Sequence, residues 1–205
     1  MLKILFLNEV MKIEDGLYLV RKKRYNETNY KWNQGEVIFM EFRKANVQDL
    51  EQIQTIYRQI CKHMDENKIQ IWDEVYPCQY LETDIANDEL YALVDGGEIL
   101  SALALCPTND GAHAVKWMED TDDAVYLNRL GVHVNHLQKG LGNLMLDKAK
   151  EQAKALGAQY LRLFVVDFNM PAVKLYVKNG FTKAQGIYEI CLLYTSPSPR
   201  DMRRS

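Results

Sequence analysis

The residues best suited by type and spacing to do chemistry are Gly140 and Gly142. They stand where an apolar, strand-like run gives way to an amphipathic helix, in Leu130-Gly131-Val132-His133-Val134-Asn135-His136-Leu137-Gln138-Lys139-Gly140-Leu141-Gly142-Asn143. Glycine lets a backbone approach a ligand closely. The first turn of a helix has unpaired N–H groups and carries the positive end of the helix dipole. Together these features make an anion site suited to a pyrophosphate. The run is not a P-loop, because no Gly-Lys-Ser/Thr follows. It is not a dinucleotide fingerprint either, because the third glycine is missing. By spacing alone it fits a tight strand–helix turn equally well.

Other candidates are scattered along the chain. His133 has an unperturbed pKa suited to a base, but on an alternating strand it can point away from the site. Asp73, Glu74 and Glu119 are acids on polar segments, where a solvated loop charge is the simpler reading. Trp72, Tyr76 and Trp117 could wall an acceptor pocket or plug the edge of the core. Taken by itself, Tyr176 reads as a helix-face tyrosine packed on a sheet.

The elements that must position these residues follow from periodicity. Glu41–Lys44 alternates as a strand, and Asn46 is an N-cap. Leu50, Ile53, Ile56, Tyr57, Ile60 and Met64 then fall on one helical face. A short helix is expected over 78–87. Strands at 90–94 and 99–106 are joined by Asp95-Gly96-Gly97-Glu98, a hairpin turn. A polar loop spans 107–123, and a strand runs from Ala124 to Val134. A helix covers Lys139 to Leu156 and is stopped by Gly157. A buried strand follows at Tyr160–Val166, then a helix at Met170–Lys178 stopped by Asn179-Gly180. Phe181 starts a last hairpin. The order β-α-α-β-β-β-α-β-α-β predicts one α/β sheet with helices on both faces.

Strand, Val132-His133, and then Gly140-Leu141-Gly142 opening a helix resembles motif A of the GCN5-related N-acetyltransferases (GNAT). Asn169-Met-Pro-Ala-Val-Lys-Leu-Tyr176-Val-Lys-Asn-Gly180-Phe181 is similar to that family's Asn-x-x-Ala-x-x-Leu-Tyr-x-x-x-Gly-Phe signature. Ile71–Pro77 also resembles a segment of bacterial members. The resemblance spans Met40 to about Ile190. It implies the GNAT fold: a mixed, mostly antiparallel twisted sheet with helices on both faces and a central β-α-β acyl-CoA-binding unit.

It also implies site roles. The backbone of Leu130, Gly131 and Val132 would pair with the pantetheine arm of acetyl-CoA, the co-substrate. The Val132 N–H would stabilise the developing oxyanion. The N–H groups of Gln138, Lys139, Gly140, Leu141, Gly142 and Asn143 would hold the pyrophosphate, and Asn169 would touch the cofactor arm. Tyr176 would protonate the departing thiolate, a role that a phenol of pKa ~10 suits. Apart from the resemblance, Trp72, Asp73 and Tyr76 are the candidates to border the acceptor. Two positions depart from the family pattern. Leu137 replaces a usual Arg or Gln, and Val134 replaces a usual proline.

The implied activity is acetyl transfer to a primary amine, a small amine or a peptide N-terminus, by direct attack. The alternative is a non-catalytic acyl-CoA-binding module on the same fold. A homodimer is left open.

The ends differ from the middle. Alanine occurs 14 times between Met40 and Ile190 and nowhere in 1–39 or 191–205. The whole chain carries 25 basic and 28 acidic residues. Residues 1–39 hold 7 and 5 and residues 191–205 hold 3 and 1, which leaves 15 and 22 in the middle, a net of −7. So acidic a domain is a poor nucleic-acid binder. The expectation is a domain at 40–190 starting at Met40, with 1–39 a non-native or poorly ordered extension. Residues 191–205 resemble the translation of a sequencing-library adapter and are expected to be an artefactual tail. The apolar runs are too short for a membrane helix or a signal peptide, so a cytoplasmic protein is expected. The cysteines form no C-x-x-C, and no metal site is expected.

Overall fold

The computed structural model describes residues 2–10, 40–73, 75–114, 116–117, 121–184 and 188–190. These form strands β1 (Leu2–Val10), β2 (Glu41–Lys44), β3 (Leu90–Asp95), β4 (Glu98–Cys106), β5 (Ala124–Val132), β6 (Tyr160–Val166), β7 (Thr182–Lys183) and β8 (Tyr188–Ile190). The helices are α1 (Leu50–Glu66), α2 (Leu81–Ala86), α3 (Leu141–Ala155) and α4 (Met170–Lys178). Among the described residues no helix is long and apolar enough to cross a membrane.

The strands make one sheet in the order β2-β3-β4-β5-β6-β1-β7, with β8 also on β1. All neighbours are antiparallel except β5 and β6, which are parallel. Two cores lie on its two faces, as the alternation along β3 and β4 requires. Leu93, Leu103 and Leu105 face α3, where Met145, Leu146 and Ala149 are buried, and α4, where Tyr176 is buried. Ala92, Ala102 and Ala104 face α1 and α2, where Ile53, Tyr57 and Leu81 are buried. The alanines let α1 lie close to the sheet.

The local signals act as their chemistry dictates. Asn46 Oδ1 accepts from the Gln48 N–H, and the Asn46 N–H donates to Asp49, so the chain enters α1 through one 3-10 turn. Arg43 clamps Asp49 at 2.6 and 2.9 Å, joining β2 to that turn. The β3–β4 turn takes positive φ at both Gly96 and Gly97. After α4 the Phe181 N–H returns to the Tyr176 carbonyl, which brings the Phe181 ring edge-on to Tyr176 at 5.7 Å.

Two expectations are corrected. Leu2–Val10, assigned to a separate extension, is an internal strand of the sheet. It pairs with β6 from Ile4 against Val166 to Val10 against Tyr160. Its apolar side chain Leu7 is buried in the core shared with α3 and α4, which is the physical reason it joins the domain. The last hairpin is also different. β7 and β8 each pair with β1, Asn8 against Thr182 and Leu2 against Ile190, because β1 offers them its free edge. The rest of the extension, 11–39, and the tail 191–205 lie outside the described residues.

Candidate active site

The site begins where two parallel strands part. The β5–β6 ladder runs from Ala124 against Tyr160 to Leu127 against Leu163 and stops there. Beyond it β5 stays with β4 and β6 stays with β1. A cleft therefore opens beside Leu130-Gly131-Val132, and no strand pairs with that edge among the described residues.

One extra residue decides what this edge presents. Asn128 pairs with Ala104 and Gly131 pairs with Ala102, so Arg129 and Leu130 together oppose Leu103. This is a β-bulge. The His133 N–H donates to the Leu100 carbonyl at 2.9 Å, so odd-numbered residues face β4 after the bulge. Before it, Tyr126 and Asn128 oppose Cys106 and Ala104, which share the parity of Leu100, so even-numbered residues face β4. The bulge inverts the alternation and turns the Val132 N–H into the cleft.

Gly131 has a packing task in addition to the one its motif suggests. A Cβ there would lie 2.7 Å from Tyr57 Cε1 and 2.8 Å from Ile60 Cδ1. Its absence lets α1 press on β5. Gly131→Ala is expected to destabilise the fold by about 1–3 kcal/mol through overpacking, read as a lower urea midpoint. A wild-type midpoint would show that α1 can give way.

At the end of the cleft, α3 begins. Gly140 takes φ +82° and Gln138 φ +60°. Only the glycine adopts that conformation without steric cost. The N–H groups of Gln138, Gly140, Leu141 and Gly142 make no backbone hydrogen bond among the described residues. Asn143, grouped with them in the sequence, differs: its N–H donates to the Gly140 carbonyl at 3.1 Å, and its side chain accepts from Asn179 at 2.9 Å. Lys139 lies beside His136, with Nζ 3.4 Å from Nδ1. Leu137 is 38% exposed.

Tyr176 projects from α4 and is buried. Its hydroxyl has no hydrogen-bond partner among the described residues. Burial, with Tyr76 as a smaller contribution, raises its pKa above the usual phenol range, so it stays protonated. Asn169 caps α4, with Oδ1 3.4 Å from the Ala172 N–H.

The remaining candidates divide. Trp72 and Tyr76 belong to one aromatic chain: Tyr57 to Trp72 at 5.6 Å, Trp72 to Tyr76 at 6.2 Å, Tyr76 to Tyr80 at 5.8 Å. Asp73 Oδ1 accepts from the Val75 and Tyr76 N–H groups, so it shapes the turn that delivers Tyr76. Trp117 lies in a separate small core with Tyr126 and Phe164. His133 accepts from the Asn135 N–H through Nδ1 and so caps the turn after β5. Burial and His136 lower its pKa. Glu74 and Glu119 lie outside the described residues.

Sequence reasoning missed one cluster. Arg129 is held at φ +53°, which costs a side-chain-bearing residue about 1–2 kcal/mol. Its Nε and Nη2 donate to both oxygens of Asp84 at 2.8 and 2.6 Å, and its guanidinium lies over Tyr80 at 5.2 Å. The Tyr57 hydroxyl donates to its carbonyl. Burial presses the Asp84 carboxyl upward in pKa, and Arg129 opposes that pressure. The one signal in the sequence is a charged residue, Arg129 beside Asn128, in a mostly apolar strand.

The sequence profile of the acetyltransferase (GNAT) family matches residues 49–181. The chain belongs to that family. GNAT acetyltransferases use acetyl-CoA as co-substrate, and the matched span runs from α1 to Phe181, taking in the bulge, α3 and α4. A GNAT-family acetyltransferase from Listeria monocytogenes superposes with a TM-score of 0.61 at 21% identity, over 73% of this chain and 91% of that one. A GNAT-family acetyltransferase from Colwellia psychrerythraea gives 0.55 at 17% identity, over 90% of this chain. The present chain covers 53% of that protein, about half its length. The PaiA N-acetyltransferase from Thermoplasma acidophilum, solved in complex with coenzyme A, gives 0.52 at 21% identity, over 70% of this chain and 90% of that one. At these identities the likeness is one of GNAT fold. No curated protein matches the sequence.

Proposed function

We propose that this chain moves an acetyl group from acetyl-CoA to a primary amine by direct attack, with no covalent enzyme intermediate. The observation that carries this reading is the Val132 N–H, turned by the bulge into a cleft where, among the described residues, no strand pairs with it. A fixed N–H of this kind stabilises the oxyanion that develops as an amine adds to a thioester. The groups around it fit acetyl-CoA. The open edge of Leu130-Gly131-Val132 suits an amide-bearing pantetheine arm. The N–H groups of Gln138, Lys139, Gly140, Leu141 and Gly142 suit its pyrophosphate. Asn143 takes part from the edge of this cradle, since its own N–H is already shared with Gly140. Asn169 uses its oxygen to cap α4, which leaves its amide nitrogen for the cofactor arm.

Tyr176 is the acid in this reading. Its protonated hydroxyl, unpartnered among the described residues, gives a proton to the departing thiolate; the amine nitrogen releases its own proton to water, and the phenolate takes one back from water. Trp72 and Tyr76 form the aromatic wall of the acceptor pocket, and Asp73 sets the turn that holds them. The net charge of −7 over residues 40–190 favours a cationic acceptor, a small amine or a peptide N-terminus. Every group comes from one chain, so the reading needs no second copy. A cytoplasmic setting is part of it, and Cys61, Cys78 and Cys106 are free thiols.

Calorimetry with acetyl-CoA and with desulfo-CoA tests the cradle, and release of free thiol with a panel of amines tests the transfer. Micromolar binding with amine-dependent thiol release is the expected outcome. Binding without release by any amine would favour the non-catalytic acyl-CoA module. The exposed Leu137, which cannot hydrogen-bond a phosphate, is the feature that leans that way.

A further inference from the structure

The bulge in β5 is the feature on which the direction of the Val132 N–H depends, and an unusual set of buried contacts surrounds it. Arg129 enters the left-handed conformation at the bulge itself. Its guanidinium and the Asp84 carboxylate meet in a two-bond fork, with side chains only 8% and 5% exposed. The same Nη2 lies 3.4 Å from Cys106 Sγ on β4. The Tyr57 hydroxyl, from α1, donates to the Arg129 carbonyl. Three elements, α1, α2 and β4, thus grip one residue of β5.

A buried ion pair is a poor source of stability, because desolvation offsets most of the attraction. What a fork of this kind supplies is geometry. If the extra residue were relaxed out of β5, the register would slip by one. Every later N–H would then exchange sides, and Val132 would face β4 in place of the cleft. We propose that Arg129, Asp84 and Tyr57 are positioning residues for acyl transfer: they lock the one-residue insertion that aims the Val132 N–H at the thioester carbonyl. The proposal rests on the acetyl-transfer reading above. It adds residues that touch neither donor nor acceptor in that reading.

Tyr57→Phe is the mildest probe, since it removes one hydroxyl from a fully buried ring and keeps the packing. Asp84→Asn is the stronger one. Three readouts apply to the purified full chain: CoA affinity by calorimetry, the infrared carbonyl stretch of bound acetyl-CoA labelled with carbon-13 at the acetyl carbonyl, and kcat for thiol release. Wild-type protein is expected to shift the stretch to lower frequency, the mark of a hydrogen-bonded carbonyl. Tyr57→Phe is expected to lose most of that shift and to lower kcat at least ~10-fold, with CoA affinity within ~3-fold of wild type. Asp84→Asn is expected to do the same more strongly, and adding Arg129→Lys to restore nothing, because an ammonium cannot make the fork.

A folded Tyr57→Phe protein with wild-type shift and kcat would overturn the lock. So would a loss of CoA affinity as large as the loss of kcat, which marks general damage. If Asp84→Asn fails to fold, Tyr57→Phe alone decides. A wild-type protein that binds no acetyl-CoA would overturn the functional reading and the lock together. Normal wild-type binding with an unshifted carbonyl would overturn the lock and leave the cofactor reading standing.

Discussion

Replacing Tyr176 with Phe is expected to lower kcat about 100-fold or more, while CoA binds within about threefold of wild type. A 100-fold loss is ~2.7 kcal/mol of transition-state stabilisation. The change removes only a hydroxyl that bonds to nothing else in the described structure. The ring remains edge-on to Phe181, so the thermal midpoint is expected to stay near that of wild type. The pH profile carries the sign of the argument. Burial raises the Tyr176 pKa, so the proton-donating form persists as pH rises through ~10, where a free phenol ionises. Wild-type activity should therefore show no alkaline fall near that pH from this group. Unchanged kcat in a folded Tyr176→Phe protein would reduce Tyr176 to a packing residue on the inner face of α4.

A chain beginning at Met40 is expected to fail as a folded acetyltransferase. Its removal of β1 uncovers the edge of β6 from Tyr160 to Val166 and takes away the strand on which both β7 and β8 pair. The loss reaches the site, because Phe181 sits between α4 and β7 and packs on Tyr176. Leu7 alone is 2% exposed, and Leu7→Ala should cost about 2–5 kcal/mol. Domains of this size have ~5–15 kcal/mol in hand, so the point variant should fold with a lowered midpoint. Loss of the whole strand exceeds that margin and leaves an open edge prone to aggregate. Solubility, circular dichroism and CoA calorimetry of the two proteins check this. A soluble, CoA-binding Met40 chain would show that β1 is dispensable and would return the segment to the separate extension expected from composition.

Much of the central domain was legible from local chemistry. The Ile53–Ile60 face of α1, the Asp95–Glu98 turn and the stop at Gly157 all follow from contacts within a few residues. So does the motif Gly140-Leu141-Gly142, since glycine takes the φ that Gly140 needs without steric cost. Composition misled at the N-terminus. Residues 1–39 contain no alanine, yet Leu2–Val10 pairs with strands about 150 and 180 residues away in the chain. Strand pairing at that separation leaves no local periodic mark beyond an apolar run.

The site divides along the same line. The sequence by itself determined the family, the helix that starts at Gly140-Leu141-Gly142 and the tyrosine on α4, because each is written in residues close together. The tertiary structure decided where β5 and β6 part, that one extra residue turns Val132 outward, that Gly131 serves α1, and that Arg129 meets Asp84. Those outcomes depend on register and on packing between elements far apart in the chain. A shift of one residue there reverses a strand's faces without changing a letter of the sequence.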